Sequence, residues 1–145
     1  MSKRLIEPKH VFTTRLVKSE DLNHHGTLFA GRTAEWFVES GFISAATLIE
    51  PKNIVCLKIH GMHFSRPAHP GQILQFASKV VYTGKSSIVS HVSVIKVNTA
   101  EPVVSGFITF INVDETTKST PHNIDVVPQT DEDKALYEAA KNLGK

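Results

Sequence analysis

Apolar residues recur at steps of three and four between positions 28 and 49, where Ala30, Ala34, Phe37, Val38, Gly41, Phe42, Ala45, Ala46 and Ile49 fall in line. That spacing predicts one long helix over 28–49. Before it, positions 11–17 alternate apolar and polar residues as a short strand does, and positions 19–26 crowd Ser, Glu, Asp, Asn, two His and Gly into a loop. Glu50-Pro51-Lys52-Asn53 ends the helix, because proline cannot continue it and biases the preceding residue toward extended angles. The period then drops to two. Strands are expected over 54–64, 73–82, 87–97 and 103–113, with a break at 65–71 and turns at 83–85 and 98–101. A last helix over 131–143 is capped by Thr130, carries acids in its first turn and shows an apolar face of Ala135, Leu136, Ala139, Ala140 and Leu143. The order β-α-β-β-β-β plus a C-terminal helix is an α+β layout: a curved antiparallel sheet around a long central helix. The whole chain, 1–145, reads as a single domain with its core at about 10–125 and the C-terminal helix at about 130–143.

Composition narrows the function. A chain of 145 residues with 41% hydrophobic and 21% charged residues can build one core and is not a disordered protein. Sixteen Lys and Arg against fourteen Asp and Glu leave a net charge of +2, too little to favour a nucleic acid partner. Uncharged stretches such as 102–113 fall well short of the roughly 20 residues that span a bilayer, so no membrane segment is expected. Lys3, Arg4, Glu7 and Lys9 near the start have no apolar stretch behind them, which argues against a secretory signal. With Cys56 as the one cysteine, the chain forms no internal disulfide and offers no Cys-based zinc site, and a reducing cytoplasm is the expected compartment.

The polar residues of the central helix call for a chemical reading. Arg32, Glu35 and Glu39 form one stripe at spacings of three and four, and Glu35 and Glu39 lie only about 40° apart around the axis. A charged stripe is usually a solvated face. Flanked by Trp36, Phe37, Val38 and Phe42 on a helix that a sheet covers, these carboxylates are instead expected to be desolvated, as a general base is. The loop before them, Asn23-His24-His25-Gly26-Thr27-Leu28-Phe29-Ala30-Gly31, ends where a helix start leaves unpaired N–H groups, and Gly26 and Gly31 permit close approach of a ligand. Asn23 reads equally as a ligand for water or carbonyl and as a turn residue bonding its own backbone. His24 and His25 lack two further ligands at metal-binding spacing.

Four motifs in order give the chain a resemblance to a known family. They are Asn23-x-x-Gly26-x-Leu28-Phe29-x-Gly31 running into the helix, Gly61-Met62-x-Phe64-x-Arg66-Pro67 with Gly71, the turn Thr83-Gly84-x-Ser86-Ser87, and the strand 107–113 followed by Asp114. From about residue 12 to residue 121 the chain resembles the hotdog-fold acyl-CoA thioesterases, nearest the YciA and brain acyl-CoA hydrolase type. The resemblance implies hydrolysis of acyl-CoA, with a helix carboxylate activating water, the backbone N–H near Gly31 polarising the thioester carbonyl, and Asn23 of the partner chain positioning the reacting groups. Two departures stand out: Ala30-Gly31 replaces the usual pair of glycines, and the usual acid position falls on Val38. Glu39, one residue later, is the first candidate for the base and Glu35, one turn earlier, the second. Coenzyme A, part of the substrate rather than a cofactor, is expected to meet Gly26, Arg66, the turn Gly84-Lys85-Ser86 and Lys118; no metal or redox cofactor is implied. A homodimer, further assembled as a trimer of dimers, is the implied state. Two other readings stay open: a non-catalytic acyl-CoA-binding protein, which Val38 keeps alive, and a hotdog dehydratase recruiting His24, His25, His60 or His63.

Overall fold

The computed structural model describes residues 3–143; positions 1–2 and 144–145 of the expected 1–145 domain lie outside the described residues. In chain order the elements are β1 (Arg4–Ile6), β2 (Val11–Leu16), α1 (Ala30–Ala46), β3 (Ile54–Ile59), β4 (His63–Phe64), β5 (Ile73–Thr83), β6 (Ser87–Lys96), β7 (Pro102–Asn112), β8 (Ile124–Val126) and α2 (Asp131–Lys141). The main sheet runs β2-β5-β6-β7-β3, antiparallel throughout, with β4 also paired to β7. It curves around α1 in the hotdog arrangement that the sequence implied.

Pleat alternation explains how two helices share this sheet. Ser78 points inward and its hydroxyl donates to the Ser40 carbonyl of α1 at 2.7 Å, whereas Lys79, next along β5, points outward to Asp133 of α2 at 2.6 Å. Between α1 and the sheet lie the fully buried Phe37, Phe76, Phe110, Leu74, Ile88 and Ile108, each contributing roughly 2 kcal/mol by removal from water. Trp36 meets Phe76 and Phe42 meets Phe110 edge to face. A polar seam crosses this core. Ser44 and Ser90 lie 3.0 Å apart and each donates to the Gly41 carbonyl, so their burial costs little.

Local backbone bonds correct several expected boundaries. The helix begins at Ala30 and not at 28, because the Leu28 N–H is taken by the Ala68 carbonyl and the Phe29 N–H by that of Asp21. It ends at Ala46, three residues short of 49, in a turn in which Leu48 and Ile49 both bond back to the Ala45 carbonyl. The expected strand 54–64 is two strands, since Gly61 at φ +113° turns the chain between them. The Gly61 carbonyl there lies against Gly106, where a Cβ would sit only 2.3 Å from it. Strands β1 and β8 were not anticipated; they pair in parallel with each other, Arg4 opposite Ile124. Helix α2 stops at Lys141 where 143 was expected, and its Thr130 hydroxyl accepts the Asp133 N–H at 3.0 Å as a cap.

Candidate active site

The loop ahead of α1 is built by Asn23. Its side-chain oxygen accepts the N–H groups of His25 at 2.8 Å and Thr27 at 3.2 Å, and its Nδ2 donates to the Thr27 hydroxyl at 3.0 Å. Gly26, at φ +76°, supplies the left-handed residue that closes this turn. Of the two readings of Asn23, the turn-forming one is present in the protomer, with one Nδ2 hydrogen left over.

The loop delivers the chain to a helix start without a cap. Phe29 occupies the N-cap position and has no side-chain acceptor, so the N–H groups of Ala30, Gly31 and Arg32 precede the first intrahelical bond, from Thr33 to Phe29 at 3.0 Å. The Phe29 ring folds over Gly31 so closely that a Cβ there would meet it at 2.5 Å. Asp21, which sequence reasoning passed over as a loop residue, anchors the arrangement. It is only 3% exposed, its carboxylate accepts the Lys18 N–H at 2.9 Å, and the Arg32 guanidinium lies 3.4 Å from it.

The two helix acids have different company. Glu35 stands one turn after Gly31, 3.7 Å from Arg32, with its side chain 69% exposed. Glu39 is bound by Arg15 of β2 at 2.5 Å, and that guanidinium rests 5.3 Å over the Trp36 ring. The expectation that both would be desolvated is corrected in the protomer, because both point away from the face of α1 that the sheet covers. Val38, partly buried, packs against the core on the other flank of Glu35, about 60° around the axis.

The residues expected to meet coenzyme A fall in two places. Arg66 follows β4 at the end of the sheet where Leu28 meets Ala68, and pairs with Glu101 at 3.1 Å. Gly84, Lys85 and Ser86 form the β5–β6 turn at the opposite end, where Gly84 and Lys85 line a hollow with Lys3, His122 and Asp125. The pairings Phe64–Val104 and Ser87–Ile111 put seven residue steps of β7, roughly 24 Å, between the two groups. One protomer alone does not bring the two groups together. Lys118 is exposed in a turn in which the Asp114 carboxylate accepts its N–H and two Thr116 groups; those bonds hold the Asp114 carboxyl below its ordinary range.

Within one protomer and among the described residues, the candidate histidines form no dyad with an acid. His24 and His25 stack on each other in the exposed loop, and His60 bonds the Thr109 hydroxyl at 2.6 Å. None of His24, His25, His60 and His63 is ion-paired with an acid among the described residues. Among those residues, too, no group of three or more His, Cys, Asp or Glu is placed to hold a metal, and no helix is long and apolar enough to cross a membrane.

The sequence model of the Thioesterase superfamily matches residues 25–103, a span from the loop histidine to the start of β7. The chain belongs to that superfamily. Over 141 residues it is 29% identical to YkhA of Bacillus subtilis (strain 168), described as an uncharacterized acyl-CoA thioester hydrolase, covering 94% of this chain and 81% of that one. Among solved structures, an apo-hexameric acyl-CoA thioesterase is 30% identical with a TM-score of 0.87, over 97% of this chain and 93% of the other. An acyl-CoA hydrolase from Bacillus cereus is 27% identical with a TM-score of 0.83, over 91% and 82%. Within this superfamily member, the Asn23 loop, the uncapped start of α1 and Glu35 stand together.

Proposed function

We propose that this protein hydrolyses acyl-CoA to a free fatty acid and coenzyme A. The observation that carries the reading is the helix start: N–H groups at Gly31 and Arg32 left without a cap, with the Glu35 carboxylate one turn further on. Those N–H groups donate hydrogen bonds to the thioester oxygen and stabilise the negative charge that grows on it as water adds to the carbonyl carbon. A helix carboxylate takes the proton of that water. The tetrahedral adduct then expels the coenzyme A sulfur, which recovers the proton as the C–S bond breaks. Glu35 suits the role of base because it shares a face with Gly31, whereas one carboxylate oxygen of Glu39 is held by Arg15. No redox step occurs, so coenzyme A enters as substrate alone.

The site is completed by a second copy. Strand β3 has a free edge and exposes Val55, Leu57 and Ile59 at 45, 64 and 44%, an aggregation hazard unless covered. Two-fold pairing along that edge reverses strand direction, so the Gly84-Lys85-Ser86 end of one protomer comes over the Asn23 and Arg66 end of its partner. The two groups of coenzyme A residues then converge, with cations at Arg66 and Lys85 for its phosphates. A trimer of such dimers is the full assembly, and a single exposed cysteine suits a reducing cytoplasm.

The test is thiol release from a panel of acyl-CoAs by the purified protein, with mass measured by light scattering. Turnover by an oligomer is expected. A monomer at micromolar concentration overturns the shared site. Val38, at the position where the family usually has its acid, favours one second reading, an acyl-CoA binder without a base. Saturable binding with no thiol release decides for it.

A further inference from the structure

The far end of α1 carries a hollow that the hydrolytic reading does not use. Strand β2 pairs with β5 only as far as Val11 opposite Ser78, while β5 continues to Thr83 through a bulge between Val80 and Tyr82. The chain leaves β2 at that point and β1 turns away to pair with β8, so the end of the helix and the bulged strand are not covered by sheet. The result is a cavity of about 470 Å³, within the size range of small-molecule sites. Its apolar lining includes Ile6, Leu48 and Val80, Thr47 is among its polar groups, and the exposed Arg4, Glu7 and Lys9 border it. Ser44 lies at the floor, but its hydroxyl is already satisfied by the Gly41 carbonyl and Ser90. Polar and apolar groups share the lining, which suits an amphipathic ligand.

We infer that this cavity binds an amphipathic carboxylate, a free fatty acid of medium chain length, with its alkyl tail inside and its head at the rim. The tail replaces water against Ile6, Leu48 and Val80. The head stays outside for an electrostatic reason. The cavity abuts the C-terminal end of α1, the negative end of the helix dipole, which repels a carboxylate, whereas Arg4 and Lys9 outnumber Glu7 at the mouth. Among the described residues neither Arg4 nor Lys9 has an ion-pair partner. Ser44 lies thirteen residues beyond Gly31, roughly 20 Å along the helix, so a ligand here leaves the helix start free. The binding site itself follows from the cavity's lining; only the source of the acid, as the product of turnover, rests on the thioesterase reading.

Calorimetry of the full chain with sodium decanoate, below its micelle concentration, tests the inference without any thioester. The expected result is a binding site that Arg4→Glu with Lys9→Glu weakens tenfold or more for decanoate, with decanol binding unchanged by the same pair. Both rim residues are exposed, so this variant folds as the wild type does, which matched thermal midpoints verify. Leu48→Trp, which fills the cavity, is expected to abolish binding of both ligands at that site. No decanoate binding to the wild type, or binding that the charge-reversed pair leaves intact, overturns the inference. A wild type that binds decanoate in this pattern yet releases no thiol from acyl-CoA leaves the site standing and overturns the hydrolytic reading instead.

Discussion

Two helix starts in this molecule are built from the same kinds of side chain and end in opposite states. At α1, Arg32 lies between the buried Asp21 at 3.4 Å and the exposed Glu35 at 3.7 Å. At α2, Lys79 lies between the nearly buried Asp133 at 2.6 Å and the exposed Glu132 at 3.6 Å. The difference is the cap. Thr130 closes α2 by accepting the Asp133 N–H, whereas Phe29 offers α1 nothing, and the α1 acid that is buried belongs to the preceding loop and not to the helix. The closed start ties α2 to the outer face of the sheet. The open start leaves its N–H groups without a side-chain cap, which costs stability of the order of 1 kcal/mol relative to a capped helix. A charged cluster at a helix start thus says little until the fate of the N–H groups is known.

The largest effect that separates the two starts is one of stability. Asp133→Ala leaves the Lys79 ammonium, 5% exposed, without its close partner and with only the exposed Glu132 at 3.6 Å. Breaking a buried pair on one side costs about 3–5 kcal/mol, and denaturant unfolding should show a loss of that size. Hydrolysis per folded molecule should be unchanged, since α2 is remote from the Asn23 loop. A loss of turnover matching the loss of stability at full folding would mean that the two starts are not independent.

The next effect is one of pH, confined to the α2 side. His91 stands opposite Lys79 across β5 and β6 and is packed against Phe107. Burial, helped by the Lys79 charge, pushes its pKa down from 6.5 to about 4. A histidine depressed in the folded state favours folding in its neutral form. Its contribution is present in full above pH 6.5 and is lost as pH falls from there to about 4, amounting to roughly 3 kcal/mol at the bottom of that window. His91→Gln should flatten the dependence of unfolding free energy on pH in this range. An unchanged slope would assign the acid sensitivity to other groups.

How much of this was legible in the sequence depends on distance along the chain. Helix α1 was, because Phe37, Gly41 and Ala45 repeat on one face within a few turns, and so was the Thr130 cap three residues before Asp133. Strands β1 and β8 were not, because each has three residues and their partners lie about 120 positions apart, as Arg4 and Ile124 do. The same limit hid two ion pairs beside the candidate site. Arg15 reads as one polar position of an alternating strand, and only the fold brings it to Glu39; Asp21 reads as a turn residue, and only the fold buries it beneath Arg32. The residues expected to meet coenzyme A were chosen motif by motif, and motif order carries no information on which end of the sheet each motif reaches.

On the α1 side, Glu35→Gln keeps shape and hydrogen-bonding size while removing the charge. With Glu35 as base, kcat should fall by about a hundredfold, with KM little changed and the unfolding midpoint unmoved because the side chain is exposed. Glu39→Gln should cost less, since it removes a carboxylate whose partner is Arg15. Steady-state kinetics of the two variants ranks them. The reverse order would place the base at Glu39 and require Arg15 to move away in the complex.

The smallest effect is the most direct probe of the contrast between the two starts. Phe29→Ser gives α1 the cap that α2 has, a hydroxyl able to accept an N–H of the first turn. The Phe29 ring is 55% exposed, so its removal forfeits only part of a core contact. Against that loss stands a gain of about 1 kcal/mol from capping, leaving the unfolding free energy within about 1 kcal/mol of the wild type. Turnover should move the other way. A hydroxyl that engages the N–H groups competes with the thioester oxygen, and kcat should fall about tenfold, less than the loss on removing a whole oxyanion donor because the cap is displaceable. Phe29→Ala separates the two contributions, since it opens the same space and supplies no acceptor. If the alanine variant lost as much turnover as the serine variant, the ring of Phe29 over Gly31, and not the freedom of the N–H groups, would be what the reaction needs from this helix start.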